Sequence, residues 1–457
     1  MTTTSQPVEV GSAPTAPIDD PVVRRRIITA STIGTTIEFY DFYVYATAAV
    51  AVFPHLFFPK NDDPTVGLLA SFATFGLAFV ARPLGSIMFG HFGDRMGRKI
   101  TLVASLLTMG IATFIIGLLP TYATIGIAAP ALLALMRFCQ GLGLGGEWSG
   151  AALLATENAA PGKRAQAAIW PQLGAPFGFF LANGLFLILV ISLGHSPTDK
   201  TGPFMEWGWR IPFLLSAVMV FIGLYVRFKL EETPVFRQAV ASGKKASNPL
   251  SEVFATAKKP LLLGTIVMLS CYTLFYLVTT WVLSYGIADP KKAPGLGIAY
   301  KDFLVLQLIT IFLFMLGVVL SGGWADRMGR KRYLTIISAG IVIFAFTFKP
   351  LLATGSATTF TVGLWLGLGM LLMGLVFGPM SAVLPEMFPT NVRYTGSGIS
   401  YNLSSILGAA VAPFIATALV KSFGVGMVGV YLAVVAVITF LGVLAMKETR
   451  DLHLHEV

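Results

Sequence analysis

Five ionisable side chains sit inside otherwise apolar stretches of this chain: Glu38, Asp41, Arg82, Arg137 and Glu147. A charged group in a bilayer costs roughly 2.5–3.5 kcal/mol on insertion scales, so such residues are retained for a task. Glu38 and Asp41 stand three apart, which puts them on one face of a helix. A carboxylate in a low-dielectric setting can take a proton near neutral pH, and an arginine beside it favours the ionised form. The chemistry on offer is therefore proton uptake coupled to anion binding. Protonation of Asp41 or Glu38 would free Arg137 for a substrate carboxylate. The competing reading is a static buried ion pair that joins two helices.

The elements that position these groups are membrane spans. The chain has 457 residues, 55% hydrophobic and 12% charged, with mean hydropathy +0.77. A soluble protein carries about a quarter charged residues, so a soluble enzyme or a nucleic-acid-binding domain is excluded as the whole answer. Twelve apolar segments approach the roughly 20 residues that a spanning helix needs: 27–53, 66–92, 100–119, 124–147, 165–193, 211–229, 260–286, 303–324, 333–352, 359–383, 395–420 and 425–446. They do not alternate as barrel strands do. The fold class expected is an all-α membrane protein of twelve transmembrane helices in two six-helix bundles, 27–229 and 260–446. A tail (1–26), a linker (230–259) and a second tail (447–457) complete it. The first span is not a cleaved signal peptide, because it is too long and carries Glu38 and Asp41.

Net charge is +10, from 32 basic and 22 acidic residues. About 22 basic residues fall on the side of the termini and about 8 on the other, which predicts cytoplasmic termini and contact with the lipid surface. Depth follows from 1.5 Å per residue. Glu38 lies about 16 Å and Asp41 about 21 Å from the inner edge, with Arg137 about 12 Å from it. Arg82 lies only about 6 Å from that edge, and Glu147 reaches it, which suggests structural roles near a cytoplasmic gate.

The hexapeptide DRMGRK occurs twice, at 94–99 and 326–331. Each copy has a glycine four residues before its aspartate, Gly90 and Gly322. A second echo spaces Glu157 from Arg164 and Glu386 from Arg393 by seven residues. Two features repeating at nearly one offset argue for duplicated halves with a midplane site between them. The repeated segment reads as a tight hairpin of about five residues, with Asp94 or Asp326 pairing with a nearby arginine or sitting at a helix N-terminus. Asp94, Arg95, Gly97, Arg98, Asp326, Arg327, Gly329 and Arg330, with the Glu/Arg echoes, form a candidate latch on the cytoplasmic face.

The pattern G-x-x-x-D-R-x-G-R-K resembles the signature of the major facilitator superfamily, at 90–99 and 322–331. EFYDF (38–42), ARPLG (81–85), RFCQGLGLGGEW (137–148), GWRIPFLLS (208–216), EETPVF (231–236) and PEMFPTNVRYTG (385–396) are similar to the metabolite:proton symporter family. Phe39 stands where that family usually has Trp. The resemblance implies alternating access and import of oxoacids, dicarboxylates, citrate, shikimate, or proline and betaine with protons. It also favours an Asp41–Arg137 pair, as in related sugar porters.

Polar residues in the spans supply candidate lining: Tyr43, Gln140, Trp170, Gln172, Tyr272, Tyr276, Thr279, Gln307, Tyr401 and Asn402. Gln140, Tyr276, Gln307 and Asn402 are favoured because each sits well inside its run. Gly141-x-Gly143-x-x-Gly146 matches a dinucleotide pattern but has no strand before it, so close helix packing is the better account. No cofactor, metal cluster, phosphate loop or hydrolytic triad is expected, so the chain is not read as an enzyme. A monomer is the default. The alternatives are a proton-driven exporter of drugs or metabolites, or a transporter-like membrane sensor.

Overall fold

A computed structural model describes residues 21–96, 98–145, 148, 152–153, 155–156, 159, 162–194, 201–228, 249–389 and 392–451. Apolar runs flanked by glycine and proline become helices because a helix satisfies its own backbone groups in lipid. In chain order these are α1 (Pro21–Ala51), α2 (Pro64–Met96), α3 (Arg98–Leu118), α4 (Ala128–Leu144), α5 (Arg164–Ser192), α6 (Phe204–Val226), α7 (Lys258–Ile287), α8 (Tyr300–Met328), α9 (Arg330–Ala345), α10 (Thr359–Glu386), α11 (Arg393–Phe423) and α12 (Val425–Ala445). Among the described residues, eight are long and apolar enough to cross a membrane on length and composition, and the apolar parts of α3 and α4 are shorter.

Each expected span has its helix, but several helices overrun their apolar runs, while α4 falls short of 124–147 at both ends. α2 reaches Met96 and α8 reaches Met328, so the expected five-residue hairpin shrinks in the second copy to Gly329 alone, at φ +89°. Only glycine adopts that angle without strain. Asp326 consequently lies in the last turn of α8, not in a loop. The expected 333–352 span is split into α9 and a short helix, Phe348–Leu352.

Packing repeats between the halves. In the first, α1 packs on α5, α2 on α4 and α3 on α6; in the second, α7 packs on α11, α8 on α10 and α9 on α12. The halves meet through α2 against α11 and α5 against α8. Three helices carry a wide turn: α6 at its start (Phe204–Gly208), α7 at Leu277–Trp281 and α11 at Ser405–Ala410. Such turns recur at functional positions.

Candidate functional site

Asp41 is 1% exposed and points into the first half, not toward the boundary between halves. Its Oδ2 stands 3.2 Å from Thr113 Oγ1 on α3, and Ser216 of α6 lies beside the same carboxyl group. Thr113 Oγ1 donates to the Met109 carbonyl at 2.9 Å and accepts from Gln140 Nε2 at 2.7 Å. Gln140 Oε1 accepts from Arg137 Nη1 at 3.0 Å. Arginine only donates, which fixes the orientation of the Gln140 amide. Arg137 Nε also donates to the Phe75 carbonyl, at 3.3 Å. The guanidinium carbon lies 4.5, 4.1 and 4.8 Å from the ring centroids of Phe42, Tyr45 and Phe75.

The expected direct Asp41–Arg137 pair is thus replaced by a chain of four side chains, Asp41, Thr113, Gln140 and Arg137. The guanidinium, boxed by rings, spends Nε and Nη1 on neutral oxygens, while Nη2 is buried with no hydrogen-bond partner among the described residues. The expected shared face does not bring Glu38 and Asp41 to one site: the angle of about 60° between them round the helix leaves Asp41 on Thr113 and Glu38 among other groups. Glu38 acts electrostatically on Arg82, Tyr276 and Tyr401 at the boundary between halves.

Arg82 is expected near the cytoplasmic edge; its helix is 33 residues long, or about 50 Å. The structure buries it at 5% exposure, with its guanidinium 5.4 Å from the Phe42 ring and 5.0 Å from Phe79. Tyr276 of the other half packs on the same two rings at 5.7 and 5.4 Å. Tyr272 lies parallel to Tyr276 (6.4 Å, 12°) and 5.2 Å from Tyr401.

Aromatic rings also knit α1 to the second half. Tyr43 stacks on Phe275 at 5.8 Å, and Phe39 meets Phe275 and Phe377 at 6.2 Å each. Toward the hexapeptide face, Trp148 stacks on Tyr401 at 3.9 Å. Gln172 joins the halves by donating Nε2 to the Phe377 carbonyl at 2.8 Å, and Ser381 donates to Ala168 at 2.9 Å.

Below this floor lies the second hexapeptide. Asp326 accepts the backbone N–H groups of Ala165 and Gln166 at 3.1 and 2.9 Å, so it caps α5 of the other half. A carboxylate there meets unpaired N–H groups and the positive helix end. Arg330 Nη1 holds Asp326 at 2.8 Å, while its Nε and Nη2 bind Glu386 at 3.1 Å each. Glu386 also takes Arg164 at 3.4 Å, so the second echo is read across the halves. Glu448 accepts from the N–H groups of Arg330 and Lys331, Thr449 donates to Glu386 at 2.8 Å, and Arg450 donates to the Arg327 carbonyl at 3.2 Å. The start of the C-terminal tail is therefore bound to the latch. Arg393 instead donates to the Phe388 carbonyl at 3.3 Å.

Other expected positions divide. Gln140, Tyr43 and Tyr276 lie in the buried centre; Gln307 is buried and donates to the Thr279 carbonyl at 2.8 Å; Asn402 is buried on α11. Trp170 is 42% exposed on the outer surface and lines no cleft. Glu147, Glu157 and Gly97 lie outside the described residues, as do the side chains at Asp94, Arg95 and Arg98 and the surroundings of Gly90. The glycine pattern in α4 is a packing device: a Cβ on Gly141 would stand 2.3 Å from the Ala78 carbonyl oxygen of α2. Among the described residues no cluster suited to a metal ion occurs. Sequence reasoning missed Thr113 and Phe75, which carry no charge to mark them.

A family model described as the Major Facilitator Superfamily matches residues 32–406. Inner membrane metabolite transport protein YhjE of Escherichia coli is 55% identical, over 93% of this chain and 95% of its own length. The shikimate transporter of the same organism is 37% identical, over 93% and 95%. A proline/betaine transporter of Salmonella typhimurium is 35% identical, over 95% and 85%. Among solved structures, the proton:xylose symporter XylE superposes with a TM-score of 0.70 over 95% of this chain and 98% of that one, at 17% identity.

Proposed function

This chain belongs to the Major Facilitator Superfamily, a family of transporters and not of enzymes, and on that premise we propose that it imports a small organic acid together with protons by alternating access. Its halves, 27–229 and 260–446, would rock about the central site. Asp41 carries the proton, and the chain through Thr113 and Gln140 to Arg137 senses it. The substrate class draws support from the shikimate transporter among its relatives and from the arginines buried at the centre.

One observation carries the coupling. A hydroxyl has a single proton. Thr113 has its amide donor in Gln140 and two acceptors within reach of that proton, the Met109 carbonyl at 2.9 Å and Asp41 Oδ2 at 3.2 Å. A protonated Asp41 would donate to Thr113 and leave the hydroxyl proton to Met109; an ionised one would compete for it, and the change would pass through Gln140 to Arg137. The basic-residue asymmetry supports cytoplasmic termini, and a monomer suffices for the mechanism.

The test is uptake into proteoliposomes under an imposed pH gradient. Asp41→Asn should abolish accumulation of the solute while counterflow exchange persists. Full gradient-driven uptake by that variant would reject the proton role. Export instead of import in the native chain would reject the direction.

A further inference from the structure

We infer that Arg82, with Tyr272, Tyr276 and Tyr401, forms an anchor at the boundary between halves for a hydroxylated organic carboxylate. The inference rests on the transport reading above and deepens it by separating two sites. Asp41 handles the proton inside the first half, and Arg82 holds the cargo between the halves.

Arg82 and Tyr276 come from different halves yet share the rings of Phe42 and Phe79 as a common base. Tyr272 and Tyr401 extend the cluster away from that base. The three phenols and Glu38 are the groups that act electrostatically on Arg82. Within it, Arg82 Nε is buried with no hydrogen-bond partner among the described residues, and the Tyr272 hydroxyl interacts with that of Tyr401 but makes no hydrogen bond of good geometry. Leaving a buried donor unmet is costly, most of all for a charged group. A ligand carboxylate would satisfy the guanidinium by charge-assisted hydrogen bonds, and ligand hydroxyls would satisfy the phenol. Arg137 also has one unmet nitrogen, Nη2, but it is the poorer anchor, since it lies inside the first half, Phe75 and Gln140 hold its other two nitrogens and three rings enclose it.

The experiment titrates the full chain in nanodiscs with shikimate, its uncharged methyl ester, cyclohexanecarboxylate and glycine betaine. Binding is read by calorimetry and by tryptophan fluorescence, to which Trp148 on Tyr401 contributes. Shikimate should bind, with the ester at least tenfold weaker. Arg82→Gln should weaken shikimate at least tenfold while changing the ester less than twofold, and Arg82→Lys should recover part of the loss. Tyr272→Phe should weaken shikimate several-fold and leave cyclohexanecarboxylate unchanged. Equal binding of acid and ester by the native chain, unchanged shikimate affinity in Arg82→Gln, or preference for betaine over shikimate would each overturn the anchor. Should Arg82→Gln not fold, the acid/ester comparison and Arg82→Lys decide alone. Arginine-dependent binding without gradient-driven uptake would keep the anchor and sink the symport reading instead, so the two failures are distinguishable.

Discussion

Thr113 is the residue on which coupling turns. Its hydroxyl joins Asp41, Gln140 and the Met109 carbonyl. Thr113→Val keeps the shape and removes the hydroxyl. The unmet groups cost about 1–3 kcal/mol, so gradient-driven uptake should fall about tenfold, since 1.4 kcal/mol is a factor of ten. Thr113→Ser should retain most of it, and native uptake by the valine variant would break the chain. The charged members of the site were legible in the sequence, because ionisable groups in apolar runs are conspicuous. Thr113 was not. Threonines in helices commonly return their hydroxyl to the preceding turn, as Thr108, Thr265 and Thr417 do here, and nothing in the spacing sets Thr113 apart. Arg82 was visible as a charge, but its partners were not, because Tyr272, Tyr276 and Tyr401 come from the other half of the chain.

At the scale of elements, the repeated halves rest on repeated close crossings. A Cβ on Gly85 would lie 2.0 Å from the Leu142 carbonyl oxygen, and one on Gly145 would lie 2.1 Å from that of Arg82, where α2 meets α4. In the second half a Cβ on Gly374 would lie 2.3 Å from the Phe314 carbonyl oxygen, and one on Gly317 2.5 Å from that of Leu371, where α8 meets α10. Backbone cannot yield as a side-chain tip can, so an added methyl must push the helices apart. Overpacking of this kind costs about 1–3 kcal/mol. Gly374→Ala should lower the thermal unfolding midpoint in detergent with substrate affinity kept. Gly145→Ala should lower both, since it presses on the backbone of Arg82. Equal effects on affinity would disconnect that crossing from the anchor. The number and order of helices were readable from apolar runs alone. Their ends were not: a connection of one glycine lets a helix continue past the lipid, and hydropathy records only the part inside.

For the whole molecule, contacts between halves occur toward both faces. On the face away from the hexapeptides, Lys421 of α11 pairs with Asp63, which also accepts the Thr65 N–H at the start of α2. The Lys421 ammonium and the Thr65 contacts hold the Asp63 carboxyl down to about 2. A depressed carboxylate adds stability that is present above its ordinary value near 4 and is lost as pH falls through about 2. Lys421→Ala should therefore lower stability above about pH 4, neutrality included, leave it unchanged below about pH 2, and so flatten the acid limb of the profile between them. It also follows that this exposed pair stays ionised across the physiological range and cannot sense the transported proton, which returns that task to Asp41. The opposite face is closed differently. Glu386, almost fully buried, holds Arg330 of its own half, Arg164 of the other, and Thr449 of the tail. Removing one partner of a buried pair costs about 3–5 kcal/mol because the other charge is stranded. Part of that loss falls on the second half itself, through Arg330 and Thr449, and part on the closed state, through Arg164 of the other half. Glu386→Gln should accordingly shift the population toward opening on the hexapeptide face. A spin-label pair placed on Gln166 and Met328 should report a longer mean distance, and a cysteine at Ala168 should react faster with a water-soluble maleimide. Unchanged distances and reactivity in the variant would mean that the floor of Trp148, Tyr401 and Gln172 closes the molecule without the latch.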